Sequence, residues 1–159
     1  LRRTIFVIVI IFAVSLSLSA EENDLLKIEV SMNPERLSRG QEGKLILKFT
    51  VEEGINISPH PFFTIELNPS KELIFPKNFF SASDMDIGIL KKNGEEYLNI
   101  NDPVEIPFAV NLEAERGNHI IEGKVKYFAC CKKEGWCLKN ISKFSASFYT
   151  RNRTVRKKK

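Results

Sequence analysis

Three cysteines fall within eight residues of this 159-residue chain, in the run Tyr127-Phe-Ala-Cys130-Cys131-Lys-Lys-Glu-Gly-Trp-Cys137, and there are no others. Sulfurs so close in sequence can form a disulfide and exchange it with an incoming thiolate. Five residues separate Cys131 from Cys137, and Gly135 among them can supply a turn. That spacing fits a β-hairpin whose strands bring two sulfurs together. Neighbouring strand residues point to opposite faces, so if the strand stays regular only one of Cys130 and Cys131 faces Cys137. Either is a candidate partner. So short a loop restricts the unfolded chain little, which makes a purely stabilising bridge a weak reading. A hairpin tip also leaves sulfur open to attack. Lys132 and Lys133 beside Cys131 favour its thiolate, opposed in part by Glu134. The alternative is an inert hairpin disulfide in a non-catalytic exported β-sandwich binding module.

Other chemistry is sparse. The chain has two histidines. His119 together with the three cysteines makes four soft ligands, but adjacent cysteines without C-x-x-C spacing chelate zinc poorly, so no metal is expected. His60, between Pro59 and Pro61, reads as a solvated loop residue. The sequons at Asn56, Asn140 and Asn152 matter only in a eukaryotic secretory route. With no phosphate loop, nucleophile elbow or dinucleotide fingerprint, no cofactor is expected.

The chain opens Leu1-Arg2-Arg3, runs uncharged through an apolar stretch to Leu18, and reaches small residues at Ser19 and Ala20. Residues 1–20 therefore read as a secretory signal peptide, with an uncleaved anchor as the rival. The expected location is the periplasm or the extracellular space. The formal charge of the whole chain is +4, but Glu21–Thr150 carries 16 basic and 20 acidic side chains, a net of −4. The basic character sits in residues 151–159, a tail expected to be frayed and solvated. Nucleic-acid binding has no support from this distribution. Membrane contact is expected only through an uncleaved signal or the tail.

The elements that must carry the cysteines read as short strands. Lys27–Met32, Lys44–Val51, Thr64–Leu67, Glu72–Phe75, Asp86–Leu90, Val104–Leu112, His119–Ala129 and Ser142–Tyr149 show period-two alternation or short apolar runs between turn residues. Pro107 points its strand towards an edge or a bulge. No window combines a 3.6-residue apolar period with helix caps. The expected fold is all-β, an immunoglobulin-like antiparallel β-sandwich over residues 21–150.

The stretch Gly123-Lys-Val-Lys-Tyr127 through Cys131-Lys-Lys-Glu-Gly-Trp-Cys137 resembles the amino-terminal domain of the thiol:disulfide interchange protein DsbD. Fainter likeness runs through Gly43–Val51, Gly54–Ile57, Phe63–Leu67 and Asp102–Ile106. The resemblance implies a stand-alone periplasmic immunoglobulin-like domain whose cysteine pair cycles between dithiol and disulfide. It implies electrons taken from a membrane-embedded thiol reductase and passed to exported thioredoxin-fold proteins. Carried over, Cys137 matches the second active cysteine. The first is Cys131 by the five-residue spacing or Cys130 by its place after Tyr127. The first hairpin cysteine is then the exposed nucleophile and Cys137 the shielded one. An aromatic cap is implied, for which Phe79 and Phe80 are candidates, with Tyr127 and Trp136 lining the site. Core filling is the competing role for each aromatic. This chain departs from the family in having two adjacent cysteines and Leu138-Lys-Asn, without proline, after Cys137.

Overall fold

The computed structural model describes residues 25–155. The expected signal segment and residues 156–159 lie outside the described residues. Twelve strands follow in order: β1 Leu26–Asn33, β2 Arg36–Arg39, β3 Glu42–Val51, β4 Ile55–Ser58, β5 Thr64–Leu67, β6 Leu73–Ile74, β7 Phe79–Ser81, β8 Ile89–Lys92, β9 Glu95–Leu98, β10 Val104–Val110, β11 Gly117–Cys131 and β12 Trp136–Thr154. A single 3-10 turn, Ser83–Met85, follows β7.

The alternation read in the sequence becomes two facing sheets. One has the order β1-β3-β10-β6; the other runs β2-β12-β11-β5-β7, with β4 also paired to β11. Leu45, Leu47 and Phe49 of β3 and Ile106 and Phe108 of β10 face inward and meet Ile121, Val125, Phe144 and Phe148 of β11 and β12 in one buried core. This is the expected all-β, immunoglobulin-like sandwich. A separate two-stranded ribbon, β8 with β9, turns at Asn93-Gly94, both at positive φ as a tight hairpin requires.

Pro107 is accommodated as its chemistry demands. β10 pairs with β3 along most of its length, but β6 reaches it only at Ala109 and Val110. The proline's missing N–H therefore falls where the second neighbour has ended.

The largest correction concerns the last two strands. β12 begins at Trp136 rather than Ser142, and Arg151–Thr154 continue it, in parallel pairing with β2, instead of fraying. β11 and β12 form one uninterrupted antiparallel ladder from Gly117↔Thr150 to Cys131↔Trp136. Two contacts pin its register. A Cβ on Gly123 would lie 2.4 Å from the Phe144 ring and 2.6 Å from the Glu66 carbonyl oxygen, so only glycine fits there. Tyr127 is fully buried, and its hydroxyl accepts the Leu26 N–H at 3.1 Å and shares a hydrogen bond with Ser142 Oγ at 2.9 Å. Tyr127 thus ties the first strand to the last two. It does not line the cysteine site, and its competing role as core filling is the one the structure shows.

Removing that hydroxyl should loosen the sandwich without touching the sulfurs. Tyr127→Phe is expected to lower the free energy of unfolding by about 1–3 kcal/mol, read from urea denaturation of the oxidised protein. An unchanged midpoint would show that the hydrogen bonds contribute nothing net.

Candidate functional site

The ladder decides which sulfurs meet. Cys130 lies directly opposite Cys137, and Cys131 opposite Trp136. Cys130 and Cys137 form the disulfide, with Cα atoms 4.1 Å apart, in the closer of the two antiparallel pair classes. Cys131 is a free, buried thiol on the core-facing side, beside Ile55 of β4. Of the two candidate partners of Cys137, the five-residue spacing pointed to the wrong one, because the turn uses only Lys132–Gly135. Gly135 N–H bonds the Cys131 carbonyl at 2.9 Å, and Gly135 itself takes φ +73°.

Exposure is also reversed from the expectation. Cys130 sits on a central strand, with Asn56 of β4 on one side and Cys137 on the other, and is half-buried. Cys137 lies on β12 where that strand has no outer neighbour, since β2 pairs only with its far end, Tyr149 onward. Cys137 is consequently the exposed cysteine of the bridge. Cys130, in turn, lines the cleft on the β4 side of the bridge together with Cys137.

The bridge opens onto a cleft of about 530 Å³ lined by Asn56 and Ser58 of β4, Glu95, Glu96 and Tyr97 of β9, and the hairpin tip including Trp136. Trp136 lines this cleft, half-buried, its indole N–H donating to Glu134 at 2.7 Å. Phe79 and Phe80 are not there. Phe80 is core in β7 and Phe79 is 52% exposed on the same strand, opposite Glu66. The flanking aromatic is instead Tyr97, on the β8–β9 ribbon. The Lys91-Lys-Asn-Gly94 turn was visible in the sequence, but nothing local shows that the ribbon lies beside the sulfurs.

One ion pair fastens this ribbon to the hairpin and a second spans the ribbon itself. Lys132 at the hairpin tip meets Glu95 at 3.3 Å, and Lys91 meets Glu96 at 2.8 Å. Lys132, which the sequence suggested would assist the Cys131 thiolate, is thus engaged with a carboxylate. The Lys91 ammonium holds the Glu96 carboxyl below its ordinary value, so this pair stays charged at neutral pH. His119 is far away, eleven positions down β11 from Cys130, or about 36 Å at strand rise. There it meets Thr150 Oγ1 at 2.9 Å and lies 3.7 Å from Glu72. Among the described residues no three His, Cys, Asp or Glu side chains cluster to hold a metal.

No family model matches the chain, and no curated protein matches it. Solved structures similar to it include the FixG-related protein from Vibrio parahaemolyticus, 11% identical over 76% of this chain and 95% of that one, with a TM-score of 0.31. Spo0M, the sporulation control protein from Bacillus subtilis, is 9% identical over 81% of this chain and 50% of its own, with a TM-score of 0.36. Murine CRIg is 7% identical over 82% of this chain and 98% of its own, with a TM-score of 0.30. Likenesses this remote carry no argument about the site, whose chemistry rests on its own geometry.

The bridge assignment predicts a distinct thiol count. The oxidised protein should present one thiol, Cys131, that labels at least about tenfold more slowly in the folded state than in urea. Cys131→Ser should remove that thiol and leave the 130–137 bridge intact in a non-reducing peptide map. A mapped 131–137 bridge would overturn the assignment.

Proposed function

We propose that this chain is an exported thiol–disulfide exchange domain of the DsbD amino-terminal type, relaying electrons through Cys130 and Cys137. The observation that carries the proposal is the placement of the disulfide. It joins directly opposed residues near the tip of the longest hairpin, with one sulfur on an open strand edge and a cleft beside it. The β11–β12 ladder is held below the tip by Gly123, Phe144 and Tyr127, so the fold does not need the bridge closed. Opening it leaves the scaffold in place.

The exchange proceeds through Cys137. A partner thiolate attacks Cys137 Sγ along the S–S axis; the S–S bond breaks, and its electron pair goes to Cys130 Sγ, which takes up a proton. The partner's second thiolate then attacks the partner sulfur of the mixed disulfide and releases Cys137 as a thiol. The partner dithiol has become a disulfide and the domain has gained two electrons and two protons. The reverse sequence reduces the next partner. A membrane-embedded thiol reductase as donor and exported thioredoxin-fold proteins as acceptors are the partners this reading implies. The ribbon bearing Tyr97 is the cap, in place of Phe79 and Phe80, and limits which thiols enter.

The exposed sulfur dictates the trapping variant. Cys130→Ser leaves the accessible Cys137 thiol without its resolving neighbour and should accumulate mixed disulfides with a dithiol–disulfide protein. Cys137→Ser should accumulate several-fold fewer. The bridge should titrate in the range of exchange proteins, from about −270 to −120 mV. A value below about −300 mV would mark a structural bridge and support the inert binding module instead.

A further inference from the structure

The outer face of β11 and β12, running away from the bridge, differs in character from the rest of the domain. Phe128 lies two positions from Cys130 and Lys139 two from Cys137, each about 7 Å along its strand and on the same face as the sulfurs. Further along come Lys126 opposite Ile141, then Lys124 opposite Lys143. Phe62 packs edge-on against Phe128, ring centroids 5.2 Å apart, and Lys139 Nζ sits 5.5 Å from the Phe62 ring. Ile141 is 38% exposed. The result is an apolar ridge continuous with the disulfide and edged by lysines.

Charge sets this ridge apart. Its four lysines face two carboxylates: Glu66, which Lys124 and Lys126 share at 3.2 and 2.6 Å, and Glu122, the next residue on the same face of β11, which lines a shallow cleft with Lys143. Lys139 and Lys143 pair with no carboxylate among the described residues. Four lysines against two carboxylates leave the patch at +2, in a body from Glu21 to Thr150 whose net charge is −4. On the cleft side of the bridge, by contrast, Glu95 and Glu96 are each matched by a lysine. The ridge thus carries a positive excess that the cleft side does not.

We propose that this ridge is the docking surface for the exchange partner, and that the partner presents an acidic surface with apolar residues beside its reactive cysteine. The inference rests on the exchange function above. A standard interface covers about 800 Å² a side, so one centred on the bridge reaches roughly 16 Å. That distance takes in Phe62, Phe128, Lys139, Lys126 and Ile141, while Lys124 and Lys143, about 20 Å away along the strands, lie just beyond its rim and act through their charge. Half-buried rings supply desolvated contact, while the lysines steer the encounter and orient the partner thiolate towards Cys137. Phe62 and Phe128 are both half-buried, and no aromatic of the ridge is exposed for insertion into a lipid layer, which suits a folded protein surface better.

The test compares two synthetic cysteine peptides of equal length, one with Asp and one with Lys flanking the thiol. Their rates of mixed-disulfide formation with the oxidised full chain are each divided by the same peptide's rate with hydroxyethyl disulfide. That division removes the peptide's own thiol reactivity. At low salt the acidic peptide should be about tenfold faster than the basic one, and the ratio should approach unity at 0.5 M salt. The Lys139→Glu/Lys143→Glu double variant, both changes on an exposed strand face, should abolish or invert the preference, while the rate with dithiothreitol, whose attacking thiolate carries one negative charge, should fall by a smaller factor than the rate with the acidic peptide. Equal normalised rates, or a faster basic peptide, would overturn the docking surface alone. So would a ridge whose charge reversal only weakens binding to phosphatidylglycerol-containing vesicles. If dithiothreitol and both peptides all fail to open the bridge in the folded protein, the exchange function falls and the docking surface with it.

Discussion

The site depends on the register of β11 against β12. Each backbone hydrogen bond in that ladder adds only about 0.5–1.5 kcal/mol net, and alone the ribbon could slide. What prevents sliding is side-chain parity. A slip of one residue would set Phe144 against Lys124 instead of Gly123 and turn one strand's core face to water. The close approach of Phe144 to Gly123 and the buried hydroxyl of Tyr127 are therefore as important to the sulfurs as the turn at Gly135. They lie some seven residues down β11 and three from Cys130, yet they select which cysteine meets Cys137.

Unequal neighbours then make the two bridged sulfurs chemically different. Cys130 has a strand on each side, whereas Cys137 has one, because β2 covers β12 only at the opposite end of the sheet. In a symmetric hairpin, attack at either sulfur would be equally open. Here the sheet's strand order imposes a direction. The third cysteine, one position from Cys130, is turned to the interior by the same alternation, and an adjacent pair that looks ambiguous in sequence becomes one bridged sulfur and one packed thiol.

The surroundings of the bridge are assembled from distant segments. The β8–β9 ribbon contributes carboxylates and Tyr97, β4 contributes Asn56 and Ser58, and the segment before β5 contributes Phe62. Ion pairs across the ribbon are solvent-exposed and individually weak. They serve better as a removable fastening than as a structural tie.

Much of this was legible in the residues. Alternation in β1, β3, β10 and the base of β11 and β12 specified two apolar faces, and hence a sandwich. Cysteine spacing specified a hairpin, and Pro107 specified an incompletely paired strand. Parity contains the pairing too: Cys130 is three positions from inward-facing Tyr127 and Cys137 seven from inward-facing Phe144, so both point outward if the strands are regular. The run Trp136-Cys-Leu-Lys-Asn-Ile141 hides this, since it protrudes beyond the core and its apolar and polar residues no longer alternate by burial. The misplaced aromatics have a similar cause. Phe79 and Phe80 are adjacent apolar residues with no local sign of facing, and Tyr97 lies far from the cysteines along the chain. A single chain determines by composition and period what each strand buries and where it turns. Which strand ends beside which sulfur, and so which sulfur is open, was decided only by sheet order, because exposure at a strand edge is a property of the neighbours that are absent there.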